Sequence, residues 1–230
     1  MFSEKFTKFI EIWQNDFIFD KTVDEKVCTD KEGNPIPWYT YPAIEYLDQF
    51  DFSGKKIFEF GCGNSSRWWA RRAEQVTSVE DNAEWLAKWR KEFTEENIEI
   101  RFRDEGEKYY EAILEGKELY DIIVIDGKKR AECAITALKK VAKGGIIILD
   151  DSDRINTSKE YVESVENLAK GDFIQVDFYG FCPMTTYPKT TTLFLSRDVK
   201  LVSKYKVQPI SGIGNIWKLK KSERKHHFQK

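Results

Sequence analysis

Short runs of apolar and β-branched residues alternate along the chain with stretches whose apolar positions recur every three to four residues. The runs are Lys56–Phe60, Gln75–Glu80, Ile98–Phe102, Asp121–Asp126 and Ile146–Asp150, and each is short enough, and sharply enough bounded, to predict a strand. Between and around them, Trp85, Leu86, Trp89 and Phe93, then Tyr109, Tyr110, Ile113 and Leu114, then Ala134, Ile135, Leu138 and Val141 each give one apolar stripe at helical spacing. Strand and helix in strict alternation require crossover connections, and hence a mostly parallel sheet covered on both faces. After a further helical pattern around Tyr161, Val162, Val165 and Leu168, two more strand-like runs follow, Phe173–Phe181 and Thr190–Ser196. The segment Cys182–Pro188 that separates them suits a hairpin loop, so these last strands should pair antiparallel.

Ahead of this pattern, Phe2, Phe6, Phe9, Ile10, Trp13 and Phe17 predict an amphipathic helix lying on the core or on a second copy of the chain, which makes a homodimer an expectation. A turn-rich loop (Asp30–Pro37) and a short helix (Tyr41–Phe50) lead to Ser53-Gly54. The chain therefore divides into an N-terminal helical cap (1–53), a main α/β domain (54–200) and a tail (201–230) that ends basic and polar. That end reads as a solvated terminus or an anion-binding arm.

Composition narrows the function classes. Thirty-seven Lys and Arg against thirty-nine Asp and Glu leave a net charge of −2, so no global positive field draws the chain to nucleic acid or to an anionic membrane. Four cysteines with no C-x-x-C pair signal neither a zinc knuckle nor a redox dithiol. The first residues lack the pattern of a signal peptide and no apolar run is long enough to span a bilayer, so a cytoplasmic location is expected.

In an open parallel sheet, ligands bind beyond the carboxyl ends of the strands. There the sequence is acidic and glycine-rich. After the first strand stands Glu59-Phe-Gly61-Cys-Gly63-Asn-Ser65-Ser66, whose glycines allow a tight turn and close approach to a ligand. About twenty residues on, Glu80 ends the second strand, where a carboxylate can accept hydrogen bonds from ribose hydroxyls. The turn reads G-x-G-x-x-S, with Ser66 where a dinucleotide fingerprint has its third glycine, which favours a single nucleoside over NAD(P).

The segments FEFGCGNSS, TSVEDN and VIDG, in this order and spacing, resemble the class I S-adenosylmethionine-dependent methyltransferases over residues 54–196, including a bacterial-type branch of that class. The resemblance implies a three-layer, Rossmann-like methyltransferase fold whose seven-stranded, mostly parallel sheet has an antiparallel last strand. It further implies that Glu59, Gly61, Gly63 and Ser65 hold the methionine part of S-adenosylmethionine, that Glu80 holds its ribose, that Asp104 lies near its adenine, and that Asp126 borders it. The Asn/Asp-Pro-Pro-aromatic motif of enzymes that methylate base amines is absent; Asp126-Gly-Lys-Lys129-Arg stands in its place. In this the chain is similar to the metal-dependent O-methyltransferases that act on catechols and caffeoyl-coenzyme A. That likeness implies a cation, magnesium, held by Asp126, Asp150 and Asp151, with Asp126 and Lys129 catalytic.

The chemistry is consistent with this. Both histidines, His226 and His227, lie in the tail, so the usual neutral-pH base is absent from every strand end. A cation held by carboxylates, or a lysine near it, could instead help a hydroxyl lose its proton. The competing use of these acids is as strand-end partners of Lys128, Arg130 or Arg154. The aromatic segments Pro37–Pro42 and Asp177–Pro183 are candidates for an acceptor pocket, while Trp68 and Trp69 read as core. The expected activity is methylation of a small-molecule hydroxyl. An NAD(P)-dependent oxidoreductase and a non-catalytic nucleoside- or partner-binding protein on the same fold stand as alternatives.

Overall fold

A computed structural model describes residues 3–104 and 106–216. Phe2 and the basic tail from Trp217, with both histidines, lie outside the described residues. The sheet has seven strands in the order β3-β2-β1-β4-β5-β7-β6. They are β1 (Lys56–Phe60), β2 (Gln75–Glu80), β3 (Ile98–Phe102), β4 (Tyr120–Ile125), β5 (Val141–Leu149), β6 (Phe173–Cys182) and β7 (Thr185–Ser196). The first five pair parallel, and β7 enters antiparallel between β5 and β6, so the expected sheet is the one observed.

Helices cover both faces because alternate residues of each strand are apolar on both sides. On one face Ile57, Val76, Ile122, Val124, Ile146, Ile148 and Leu193 meet Trp68 and Trp69 of α4 (Asn64–Ala70) and Ile44 and Leu47 of α3 (Tyr41–Leu47). On the other, Phe58, Phe60, Ile123, Ile125, Ile147 and Phe194 meet Tyr109, Ala112 and Ile113, Ala134 and Ala137 of α7 (Arg130–Lys140), and Leu168 of α8 (Lys159–Leu168). Tyr109 belongs to the short α6 (Glu107–Glu111), and α5 (Ala83–Glu92) lies between β2 and β3. Trp68 and Trp69 are fully buried, as core residues should be.

The N-terminal segment shares this core. Cys28, Ile36, Tyr39 and Tyr41 are buried in the same cluster as the sheet residues, and residues 49–51 exchange backbone hydrogen bonds with 202–204. The aromatic stripe is split rather than continuous. Helix α1 (Glu4–Asn15) ends, the chain turns through a left-handed Ile18 (φ 45°), and α2 (Phe19–Glu25) begins. Trp13 and Phe17 stack at 4.7 Å and pack against Tyr41, whereas Phe6 and Phe9 are exposed. All four cysteines are buried free thiols. Among the described residues no helix is long and apolar enough to cross a membrane.

The Cys182–Pro188 loop shrinks to a turn at Pro183-Met184, with Cys182 paired to Thr185 and a left-handed Met184 (φ 64°). Strand β7 thus starts five residues before the predicted Thr190. Leu149 pairs with Thr192 at the end of the β5 ladder, so the start of β7 is bordered by β6 alone. Pro188 is tolerated there because no second neighbour needs its missing N–H.

Candidate active site

A cavity of about 500 Å³ opens at the carboxyl ends of β1, β2, β4 and β5. One half of its wall is the glycine turn. Gly61 adopts φ +105°, which strains any residue with a side chain, and donates its N–H to Val79 O at 2.8 Å. Glu59 lies behind the turn, 1% exposed, with its carboxylate accepting from the Ser66 hydroxyl and from Ser78 Oγ at 3.2 Å. Burial pushes this carboxyl up to about 7, the serine hydroxyls around it holding it from rising further. Ser65 also lines the cavity.

Glu80 closes this half from β2. One of its oxygens accepts from the amides of Asp81 (3.1 Å) and Asn82 (2.8 Å), which fixes the carboxylate on the cavity wall. Burial raises its pKa. Trp85 borders the same side, its indole N–H given to Cys62 O at 2.7 Å.

Two expected cofactor residues stand elsewhere. Gly63 does not line the cavity; it is extended, donates to Ser66 Oγ at 3.1 Å and backs onto the Trp89 ring, which a Cβ would meet at 3.7 Å. Asp104 is exposed beyond β3 and outside the cavity wall.

The other half is a cluster of charge. Asp126 follows β4, and Asp150 and Asp151 follow β5, with Asp151 held in the left-handed region (φ 54°). Lys189, at the start of β7 and 5% exposed, places its ammonium 2.6 Å from Asp151 Oδ1 and 3.6 Å from Asp150 Oδ2. Arg130, likewise buried, reaches Asp126 Oδ1 at 3.2 Å and Asp151 Oδ2 at 3.7 Å. It also donates to the carbonyls of Gly127 and Asp150 and lies over the Tyr161 ring at 4.9 Å. Arg154 completes the set at 3.0 Å from Asp151 Oδ2, and Thr191 Oγ1 donates to Asp150 Oδ1 at 2.6 Å.

Burial and the neighbouring Asp150 raise the Asp126 carboxyl well above its usual range. Burial acts in the same direction on Asp151, but Lys189, Arg130 and Arg154 outweigh it and leave that carboxyl below its ordinary value. Burial would lower the Lys189 ammonium, and its two aspartates reverse this, so it stays protonated.

Of the competing expectations for these acids, pairing with arginine is therefore realised for Arg130 and Arg154. Lys128 pairs with Asp81 at 3.0 Å. Lys129 is exposed at the left-handed start of α7 and does not line the cavity, so it is not placed to act as a base there. Trp38 does line it, its ring 4.9 Å from Lys189 Nζ and its N–H given to Thr185 Oγ1 at 3.1 Å. The second aromatic segment instead packs on the N-terminal helices, through Phe181 against Trp13 and Phe19. Lys189 is a wall residue that the sequence did not single out, and Tyr109, read there only as part of a helical stripe, is another. The signal for Lys189 was β7 itself: a strand lying antiparallel beside β5 must begin where β5 ends, next to Asp150 and Asp151.

A parallel sheet with an antiparallel β7, a glycine turn after β1 and an acid ending β2 define the Rossmann-like methyltransferase class. Residues 58–152 match the family model described as a methyltransferase domain. The match assigns a methyltransferase domain to this segment, and of the activities that the sequence left open it supports methyl transfer.

Solved structures agree in fold. An O-methyltransferase from Bacillus cereus in complex with SAH is 19% identical, with 81% of this chain and 100% of that one aligned at a TM-score of 0.58. The precorrin-6y C5,15-methyltransferase of Geobacter metallireducens is 14% identical over 76% and 96% of the two chains, with a TM-score of 0.54. The O-methyltransferase TomG of Streptomyces achromogenes, in complex with SAM, is 17% identical over 68% and 77%, with a TM-score of 0.50. No curated protein sequence matches.

Proposed function

We propose that the protein transfers the methyl group of S-adenosylmethionine to the oxygen of a small-molecule hydroxyl. The observation that carries this is one cavity joining a glycine-turn half, suited to the cofactor, to a polar half, with Asp126 on its wall. Gly61, Ser65 and Glu59 border the methionine part and Glu80 accepts from the ribose. With Asp104 outside the cavity, the base falls on the side walled by Asn82 and Trp85. Alignment is the main contribution to rate, since the acceptor oxygen need only be held in line with the sulfonium methyl. Asp126, a carboxylate of raised proton affinity, receives the hydroxyl proton. Trp38 and Tyr187 offer aromatic faces to the acceptor at the rim.

The test is calorimetric titration with S-adenosylmethionine and S-adenosylhomocysteine. Micromolar binding is expected, weakened by about tenfold or more in Glu80→Ala, the equivalent of ~1.4 kcal/mol or more for lost charged hydrogen bonds. Binding that is absent, or indifferent to Glu80, overturns the placement. Transfer of a labelled methyl group from the cofactor across a panel of hydroxyl, amine and carbon acceptors then tests the acceptor atom, and a product labelled on nitrogen or carbon rejects O-methylation.

A further inference from the structure

Oxygens of Asp126, Asp150 and Asp151 lie within 4.8 Å of one another, a spacing that could hold a metal ion. The set fails as a magnesium site for a reason visible in its geometry: each carboxylate is already matched by a cation of the chain. Magnesium requires a near-octahedral shell of oxygens at ~2.0–2.1 Å. The Lys189 ammonium, 2.6 Å from Asp151 Oδ1 and 3.6 Å from Asp150 Oδ2, stands against two of the oxygens such a shell would use. Arg130 takes an oxygen of Asp126, and Arg130 and Arg154 take the second oxygen of Asp151. The side chain of Lys189 is 6% exposed, closed in by the Trp38 ring. Displacing its charge without a new partner would leave an ammonium buried and unpaired, which is strongly unfavourable.

We propose that Lys189 stands where a metal-dependent relative would hold its cation, so that the positive charge orienting the acceptor oxygen is part of the chain and methyl transfer needs no divalent metal. This rests on the methyl-transfer reading of the cavity, but its test does not. In the transfer itself a lone pair of the acceptor oxygen forms the new O–C bond as the S–C bond breaks. The hydroxyl proton passes to the Asp126 carboxylate, and S-adenosylhomocysteine leaves as a neutral thioether. Lys189 keeps its proton throughout and acts by position. An ammonium orients an acceptor oxygen by a single hydrogen bond, so a substrate with one hydroxyl suffices.

The experiment is titration of the wild-type protein, Lys189→Ala and Lys189→Met with Mn²⁺, followed by electron paramagnetic resonance of the free and bound ion. The wild type is expected to bind no Mn²⁺ below millimolar concentration. Removing the ammonium should free Asp150 and Asp151 and tighten Mn²⁺ binding by at least about tenfold, as expected when acidic ligands lose a competing cation. Micromolar binding to the wild type that is lost in Asp151→Asn overturns the proposal. So do folded Lys189 variants that bind Mn²⁺ no better than the wild type. Should neither variant fold, the wild-type titration decides alone, in the same two directions. Failure of S-adenosylmethionine to bind the metal-free wild type would remove the methyl-transfer reading while leaving the Mn²⁺ result intact.

Discussion

Replacing Glu59 by Gln removes one ionisable group from the floor of the glycine turn while keeping an oxygen to accept from Ser66 and Ser78. Burial lifts the native carboxyl from its ordinary 4.5 to about 7, so between these values the folded protein keeps a proton that the unfolded chain has lost. Stability therefore falls as pH rises through this window. The gap of about 2.5 pH units corresponds to ~3 kcal/mol in total, and about 1.3 kcal/mol of it is lost between pH 6 and pH 8. For a chain of this size that is a fall in Tm of about 3–5 °C. Other groups titrate too, so the informative quantity is the difference between the proteins. Calorimetric scans of the cofactor-free wild type and Glu59→Gln at pH 6, 7 and 8 should give curves that diverge as pH rises, with the variant gaining relative stability. Equal slopes in the two proteins would refute the argument, because they would mean that Glu59 is ionised or solvated equally in both states.

Other expectations are equally direct. A Cβ on Gly127 would lie 1.9 Å from Tyr109 Oη, so Gly127→Ala should destabilise by about 1–3 kcal/mol, with a smaller loss in a Tyr109→Phe background; a denaturant double-mutant cycle with no coupling would contradict the contact. Arg130→Met leaves Asp126 and Asp151 short of a buried partner and should lower stability by about 3–5 kcal/mol in urea unfolding at pH 7. Asp104→Asn and Lys129→Ala alter exposed residues outside the cavity wall; each should leave stability and S-adenosylmethionine affinity within about 0.5 kcal/mol of wild type, and a large loss of affinity in either would restore the role the sequence suggested for it.

The parallel strands were legible because burial on both faces imposes a signal that survives in the residues themselves. The bounds of β1, β2 and β3 are those read from the alternation of apolar runs and turns. Strand β5 begins at Val141 rather than Ile146, since Lys143-Gly-Gly145 has the composition of a turn even though Val141 pairs with Tyr120 across a bulge. The cofactor half of the site was mostly legible, because Gly61 and Glu80 are set by local chain geometry. In the charged half the three aspartates and their arginine partners were legible, and Lys189 was not. Arg130 lies only 4 residues from Asp126, but the nearest acid to Lys189 is 38 residues away, and only the strand order brings that lysine to it. Nothing local in Pro188-Lys189-Thr190 distinguishes a buried ammonium from a solvated one.

The position of β7 also orders events during synthesis. It lies between β5 and β6, so the sheet cannot close until the chain has been made through Ser196, and the last strand to emerge is one that must insert rather than append. Asp126, Asp150 and Asp151 are all translated before Lys189. A nascent chain halted before β7 would carry an unfinished sheet edge, with Arg130 and Arg154 already made to pair Asp126 and Asp151 but with Asp150 and Asp151 still lacking the Lys189 ammonium. Lys189 then supplies the counter-charge of Asp150 and Asp151 on the same strand that fills the gap beside β5, and a long edge of β5 stays exposed until that strand is made.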